Sequence, residues 1–277
     1  MQRDAARVKA ALNQLKSMWP HVQLKKEIEQ ILPDMAIETV ESIDSTNDEL
    51  MRRIRSGHTR PTLLVAQHQT AGKGRHDNPW LAKPGECLMF SLCLPIDPLS
   101  WSGLSLAVGL SIVQSLDPNQ QLGLKLKWPN DIWVGRIDAP KKLAGILIET
   151  AMPTVGTTQA RSVVVGVGIN IATPSNDKMR IEPIGFENLV PNINAPDLLL
   201  RLIKNLIQDI MSFTQTGFSI LQDSFNKRDI LLMQEIALSD GRIGVAVGVD
   251  NQGQLKVQGD DELWLINSSD IQIRSKA

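Results

Sequence analysis

The chain has 277 residues, of which 42% are hydrophobic and 21% charged, and its 29 basic and 30 acidic side chains give a formal net charge of -1. This composition is typical of a soluble globular protein with one large domain, alone or with a small one. A protein that binds nucleic acid through bulk charge would be more basic, so DNA binding is not expected. No apolar run approaches the roughly 20 residues that span a bilayer, and residues 1–19 lack the apolar block of a signal peptide. We therefore predict a cytoplasmic protein with no membrane partner.

The cysteines and histidines do not form a recognisable metal site. Cys87 and Cys93 are the only cysteines, and both lie in one apolar run. Six positions apart, they share one face of a strand, which favours two buried thiols in a reducing compartment. No CxxC, HExxH or other metal-ligand spacing occurs.

In chain order, the first element is a predicted helix over residues 1–32, which Pro20 interrupts. This segment is too short for a winged helix-turn-helix domain. Between residues 37 and 230, strand-like and helix-like patterns alternate, which predicts an α+β or α/β fold with one main sheet. The predicted strands are 37–43, 63–66, 88–94, 124–127, 132–134, 143–149 and 162–171, and the last, rich in β-branched residues, is the candidate central strand. Three further helices are predicted: one that begins after residue 47, one over residues 101–116 and one over residues 196–214.

The pattern changes after about residue 230. Strand-like runs at residues 234–238, 243–249, 255–257 and 263–266 are separated by turn residues. Such short strands predict a small antiparallel β-barrel at the C-terminus.

Two polar segments follow predicted strands in the first half of the chain. Ser45, Thr46 and Asn47 are residue types that cap helix N-termini, and capping by one of them leaves other polar groups for a small ligand. The second segment is Gly72-Lys73-Gly74-Arg75. Its glycines permit positive φ and close backbone approach, and its bases suit phosphate or carboxylate. An ordinary cap and a solvated loop remain the alternatives.

Three further segments place polar groups at strand ends. Residues 127–131, Lys-Trp-Pro-Asn-Asp, predict a tight turn whose lysine and carboxylate could serve a nucleotide and its metal ion. Lys141 and Lys142 open an otherwise buried strand, as exposed strand-end lysines or as partners of an anion. The Gly166-x-Gly168 pattern indicates close backbone approach. Taken together, the segments predict a site for a small molecule and a phosphate-bearing one.

These motifs, in this order, resemble the biotin protein ligases from about Glu41 to Asn170, with weaker similarity beyond. The resemblance implies an α+β fold with a mixed sheet flanked by helices and a small C-terminal SH3-like β-barrel. We therefore predict a helical extension over residues 1–36, a catalytic domain over 37–230 and an SH3-like domain over 231–277. Some members carry an N-terminal DNA-binding domain, and the short N-terminus predicts the monofunctional type.

The resemblance implies ATP- and Mg²⁺-dependent formation of biotinyl-5′-AMP, followed by transfer of biotin to a lysine of the biotin carboxyl carrier protein of acetyl-CoA carboxylase. The implied catalytic residues are Arg75 and Lys142, and the implied metal ligand is Asp131. The implied biotin-binding residues are Ser45, Thr46, Asn47, Gln69, Gly72, Lys73, Gly74, Arg75, Lys142 and Gly145. The implied ATP-binding residues are Lys73, Lys127, Asn130, Asp131, Lys142, Asn170, Phe186 and Arg274.

The loop departs from the family pattern Gly-Arg-Gly-Arg-x-Gly-Arg. Lys73 replaces the first arginine, and Asp77 and Asn78 replace a glycine and an arginine. The change to lysine removes a bidentate donor, which leaves retention of the adenylate and the rate of loop closure open. Because Arg75 is kept, we expect the chemistry to be kept as well.

The sequence leaves two alternative functions open. A lipoate–protein ligase would use the same two-step logic, although the loop and the Trp-Pro-Asn-Asp turn speak against it. A ligand-sensing regulator without ligase activity is the alternative from another class. The sequence does not decide the oligomeric state, and a homodimer is one open outcome.

Overall fold

The main sheet has seven strands in the order β1-β2-β3-β7-β6-β5-β4. The computed structural model describes residues 19–98, 100–135, 139–154, 161–174 and 181–267, and the backbone of residues 274–275. The strands are β1 (Ala36–Ile43), β2 (Thr62–Gln69), β3 (Cys87–Leu94), β4 (Leu124–Lys127), β5 (Asp131–Val134), β6 (Lys141–Ala151) and β7 (Ser162–Asn170). The β1–β2 pair is parallel, whereas the pairs β2–β3, β3–β7, β4–β5 and β5–β6 are antiparallel. The sheet is therefore mixed.

A second, five-stranded antiparallel sheet lies in the C-terminal part of the chain, in the order β11-β10-β9-β8-β12. Its strands are β8 (Glu235–Ala237), β9 (Ile243–Val249), β10 (Leu255–Gln258), β11 (Leu263–Ile266) and β12 (Arg274–Ser275). The helices are α1 (His21–Glu29), α2 (Thr46–Arg55), α3 (Leu104–Leu116), α4 (Ala195–Thr216) and α5 (Gln222–Asn226).

The chain divides into two compact units, and the division falls within β6 and within α4. The first unit contains β1, β2, β3, β7 and the second half of β6. Helix α2 packs across β2, β3 and β7 because its apolar residues recur at helical spacing. Leu50 and Ile54 thereby join Leu64 and Val164 in one buried cluster.

The second unit contains β4, β5, the first half of β6 and the C-terminal sheet. Helix α3 packs against β4 and β5 and is buried on nearly every side, as its continuous apolar sequence requires. The Trp128 indole is buried and donates its Nε1–H to the carbonyl oxygen of Gly253 at 2.9 Å. The buried guanidinium of Arg228 contacts the carboxylate of Asp117 at 3.3 Å.

The predicted fold class is confirmed: helices flank a mixed sheet, and a separate antiparallel sheet follows. Strand β7 is the fourth of seven in the main sheet, which confirms the predicted central strand. Of the predicted N-terminal helix, residues 1–18 lie outside the described part of the chain, and α1 begins directly after Pro20. Helix α5 and strand β12 were not predicted. The predicted boundaries near residues 36 and 230 remain predictions. None of the described helices is long and apolar enough to span a membrane.

Candidate active site

The N-terminus of α2 is capped by Ser45. Its side-chain oxygen accepts a hydrogen bond from the backbone N–H of Asp48 at 3.3 Å, which confirms that one of the three predicted residues is a cap. Ser45 is buried, as are Thr46 and Asn47 in the first turn. The cap leaves the side chains of Thr46 and Asn47 to other partners.

A buried polar network joins this helix end to the sheet. The hydroxyl of Thr46 donates to Oε1 of Gln69 at 2.9 Å and lies 2.7 Å from the hydroxyl of Ser91. Ser91 donates to Oδ1 of Asn47 at 2.6 Å. Nδ2 of Asn47 then donates to Oε2 of Glu149 at 2.9 Å. The network brings together three of the predicted biotin-binding residues and two that the sequence analysis did not select.

The two glycines of β7 make room for side chains of the first unit. A Cβ atom at Gly166 would collide with the amide of Asn47. A Cβ atom at Gly168 would lie 2.6 Å from Cε2 of the Trp80 indole. The predicted close approach is therefore present, and its reason is the packing of two protein side chains against a central strand.

The loop between β2 and β3 is a small closed hairpin. The backbone N–H of Trp80 donates to the carbonyl oxygen of Gly72 at 2.8 Å, and that of Gly74 donates to the carbonyl oxygen of Asn78 at 2.7 Å. Nδ2 of Asn78 also donates to the carbonyl oxygen of Arg75 at 2.8 Å. Asn78 thus holds the turn that contains Arg75, a function that the arginine of the family pattern would not supply in the same way.

Gly72 and Gly74 permit positive φ, but neither of them adopts it. Gly74 has a φ of -110°, Gly72 is not among the positive-φ residues, and the left-handed position of this loop is His76, with a φ of 56°. Gly72 is needed for another reason. A Cβ atom there would lie 2.6 Å from the carbonyl oxygen of Trp80.

Lys73 forms an ion pair with Asp48 in the first turn of α2, with Nζ and Oδ2 2.8 Å apart. Both side chains are partly exposed, so the pair contributes little to stability, on the order of 1 kcal/mol or less. Its position matters more, because it connects the cationic loop to the helix end that carries Thr46 and Asn47.

In the second unit, the turn at residues 127–131 and the start of β6 carry the predicted nucleotide-side groups. Nζ of Lys142 lies 2.8 Å from Oδ1 of Asp131, and both side chains are largely buried. The Lys127 ammonium lies 5.4 Å from the centroid of the Trp133 ring, a cation–π contact. Asn130 and Ile146 exchange two hydrogen bonds of 2.9 Å, which fix the turn against β6.

Comparison with known proteins decides the family. Residues 39–170 match the model of the biotin/lipoate A/B protein ligase family. The bifunctional ligase/repressor BirA of Salmonella typhimurium is 30% identical over 243 residues, which cover 84% of this chain and 72% of the relative. The chain belongs to the biotin/lipoate A/B protein ligase family.

Two further members of this family illustrate the likeness. The biotin–[acetyl-CoA-carboxylase] ligase of Mycobacterium tuberculosis is 29% identical over 251 residues, which cover 85% of this chain and 88% of the relative. The biotin protein ligase of Aquifex aeolicus, solved with biotin and ATP, has a TM-score of 0.71 at 24% identity, and the match covers 87% of this chain and 99% of that one. The second comparison shows that the folds agree.

The remaining predicted site residues lie in β6, at the end of β7, in a 3₁₀ turn and in β12. Gly145 lies in β6 opposite Asp131, and Asn170 is buried at the end of β7. Phe186 is fully buried in the first unit, within a 3₁₀ turn at residues 186–188. The structure describes only the backbone of Arg274, in β12. The ligand contacts assigned to these residues remain predictions.

Four residues contact the predicted site residues but were not selected from the sequence: Asp48, Trp80, Ser91 and Glu149. Ser91 is the single polar residue of the run Leu88–Leu94, and Glu149 ends the conspicuous segment that begins at Lys141. The available signals were a lone hydroxyl in a fully buried strand and a carboxylate at the end of a largely apolar run, because such groups require polar partners when they are buried.

Two cysteine thiols and one aspartate carboxyl of the first unit have pKa values that differ from their ordinary values. Burial raises the pKa of the Cys87 thiol to about 12, although a hydrogen bond from Trp80 acts to lower it. Burial also raises the pKa of the Cys93 thiol to about 11. Both thiols are buried, as predicted, and neither is suited to nucleophilic chemistry. On the exposed side of α2, hydrogen bonds from Arg52 lower the pKa of the Asp44 carboxyl to about 2.

Proposed function

We propose that this chain is an ATP-dependent biotin protein ligase, which forms biotinyl-5′-AMP from biotin and ATP and transfers biotin to a lysine of a carrier protein. Membership of the family supports this proposal, as do relatives named as biotin ligases. The observation that carries the choice of biotin is the buried network of Thr46, Asn47, Gln69 and Ser91. A pocket wall of hydroxyl and amide groups suits the ureido ring of biotin, whereas the dithiolane ring of lipoate offers no N–H or C=O group to pair with it.

The first reaction joins two anions, since the biotin carboxylate attacks the α-phosphorus of ATP and releases pyrophosphate. Positive charge must therefore be supplied where the two anions meet, and basic side chains can provide part of it. In the second unit, Lys142 is held at the start of a rigid strand by Asp131, which fits a positioned cation. In the first unit, Lys73 and Arg75 lie on the hairpin loop and provide cations that can move with it.

Mg²⁺ neutralises ATP phosphates when it is bound, and Asp131 is the residue that we assign to it. Among the described residues, no group of three or more His, Cys, Asp or Glu side chains could hold a metal ion. A single carboxylate fits Mg²⁺, because this ion is usually bound through one or two carboxylates together with substrate phosphates and water.

The hairpin loop protects the mixed anhydride in this proposal. Biotinyl-5′-AMP hydrolyses in water, so a cover that excludes solvent preserves it until the carrier arrives. The Lys73–Asp48 pair connects the loop to α2. An anionic intermediate would compete with Asp48 for Lys73 and couple the position of the loop to ligand binding.

We infer that the carrier is the biotin carboxyl carrier protein of acetyl-CoA carboxylase, because the Mycobacterium tuberculosis relative is named for that enzyme. Action in the cytoplasm, where this carrier is used, is part of the proposal. Homodimer formation remains a prediction.

The test measures pyrophosphate release from ATP and Mg²⁺ with biotin or with lipoate, followed by mass spectrometry of an added carrier domain. We expect release with biotin alone and a carrier mass increased by one biotin. Release with lipoate alone, or biotin binding without release, would overturn the proposal. Lys142→Ala and Arg75→Ala are expected to reduce turnover at least about 100-fold. Lys141→Ala is the matched control, because the Lys141 ammonium, next in the chain, pairs with the exposed Glu182 carboxylate.

A further inference from the structure

Four side chains of the first unit form a continuous row of oxygen atoms at the N-terminus of α2. The row runs from Oε1 of Gln69 through the hydroxyls of Thr46 and Ser91 to Oδ1 of Asn47. Its three contacts measure 2.9, 2.7 and 2.6 Å, all within hydrogen-bond distance. Thr46, Asn47 and Ser91 are at most 4% exposed. We call these four atoms the oxygen row.

Both ends of the oxygen row are fixed as acceptors. Oε1 of Gln69 accepts the backbone N–H of Thr46 at 2.7 Å, so a flipped Gln69 amide would set two donors against each other. Nδ2 of Asn47 donates to the Glu149 carboxylate at 2.9 Å and points to the carbonyl oxygen of Leu147 at 3.4 Å. A flipped Asn47 amide would place its oxygen against the carboxylate. Glu149, through the shorter of these two contacts, is therefore the main determinant of which atom of Asn47 faces Ser91.

The oxygen row lacks one hydrogen atom. Its terminal amide oxygens contribute none, and each hydroxyl contributes one, so two hydrogens serve three contacts. If Thr46 donates to Gln69 and Ser91 donates to Asn47, the 2.7 Å contact between the two hydroxyls contains no hydrogen. Two hydroxyl oxygens held in contact without a hydrogen between them repel each other, so the row favours a ligand that brings a donor.

We propose that Glu149 is a positioning residue for ligand selection: by fixing the Asn47 amide, it keeps the oxygen row one hydrogen short, and an N–H group of the bound cyclic urea supplies the missing donor. This inference rests on the proposed function and adds a residue to it. Glu149 touches no ligand in this scheme and acts through Asn47. The same shortage disfavours ligands without an N–H group.

Glu149→Gln provides the test. Glutamine keeps the size of the side chain but can donate as well as accept. The shorter of the two contacts that orient the Asn47 amide then no longer opposes a flip, and only the 3.4 Å contact with the Leu147 carbonyl oxygen does, so a flipped amide can donate to Ser91. Ser91 can then donate to Thr46 and Thr46 to Gln69, and the row is complete without a ligand. The variant should therefore fold with unchanged or increased thermal stability. It should nevertheless discriminate less than the wild type between biotin and a ligand that lacks one ureido N–H group.

The measurement is a cycle of four dissociation constants by isothermal titration, for wild type and Glu149→Gln with biotin and with biotin methylated at one ureido nitrogen. The steric effect of the methyl group cancels between the two proteins. For each protein, the dissociation constant for methylated biotin is divided by that for biotin. We expect this ratio to be on the order of tenfold larger for the wild type than for Glu149→Gln. Glu41→Gln, at an exposed position of β1, is the matched control and should keep the wild-type ratio.

An equal loss of affinity for both ligands in Glu149→Gln, or a large loss of thermal stability, would overturn the inference and leave Glu149 with a structural role. Glu149→Ala is a second variant, which also releases the Asn47 amide and should lower the ratio even if it lowers stability. Absence of biotin binding by the wild type would instead overturn the proposed function.

Discussion

Asp229 is a buried carboxyl group that should make the folded chain less stable as the pH rises. Its Oδ1 accepts the backbone N–H of Leu231 at 2.9 Å, whereas no hydrogen-bond partner is found for the buried Oδ2 among the described residues. Burial raises the pKa of this carboxyl from the ordinary value of 3.8 to about 7, although the Leu231 N–H and the charge of Lys127 act to lower it.

The sign follows from proton binding. Between pH 4 and 7 the folded state holds a proton that the unfolded state has lost, so the stability is fully present below the unfolded pKa and falls as the pH rises towards 7. At about 1.4 kcal/mol per pKa unit, a shift of this size corresponds to roughly 4 kcal/mol, which is an upper bound because the interior relaxes around a charge.

Asp229→Asn removes this penalty, because asparagine keeps the acceptor for Leu231 and does not ionise. Urea unfolding of both proteins at about pH 4, 5.5, 7 and 8.5 should show similar free energies of unfolding at the lowest pH and a variant more stable by roughly 2–3 kcal/mol at the highest. Asp260→Asn is the control, since Asp260 is exposed in the same unit and its replacement changes the net charge equally. A difference between Asp229→Asn and wild type that stays constant across this range would refute the reasoning.

Three more predictions concern the first unit. Gly168→Ala should cost roughly 1–3 kcal/mol in urea unfolding and weaken biotin binding, because the new Cβ atom would displace the indole packed on β7; unchanged values for both would contradict the packing described. Cys87 and Cys93 should resist a thiol reagent in the native state and react after unfolding, and rapid native labelling would contradict their burial. Asp48→Asn breaks the pair with Lys73 and should speed biotin association in stopped flow with little change in stability; an unchanged rate would show that this pair does not hold the loop.

The strands of the main sheet could be predicted because their apolar runs are long and bounded by polar turns. Strand β7 was placed at the centre of the sheet on its apolar, β-branched sequence, and a helix cap was placed among Ser45, Thr46 and Asn47 on residue type. Both are local signals, and local signals are what a single sequence carries. Residue type pointed to Gly72 and Gly74 as the positions that permit positive φ in the loop, yet the left-handed residue is His76, because a tight turn can impose this conformation on other residues.

The contacts of the candidate site could not be predicted because they join distant segments. Ser91 meets Asn47 because α2 packs against β3, and Glu149 reaches the same amide from β6. The alternation of side chains along a strand says which residues share a face, but not which helix covers that face. The ion pair of Lys73 with Asp48 was equally invisible, since many acidic residues were available to this lysine.

The glycines of β7 also have a consequence for the time at which the protein becomes competent during its synthesis. Asn47 and Trp80 belong to the first third of the chain, yet both rest on a strand that begins at Ser162. A ribosome-bound chain that ends before β7 contains the capped helix and the cationic hairpin but lacks the surface against which both are seated. Biotin should therefore be captured by stalled nascent chains only after residue 170 has left the exit tunnel, and not gradually as the earlier strands emerge.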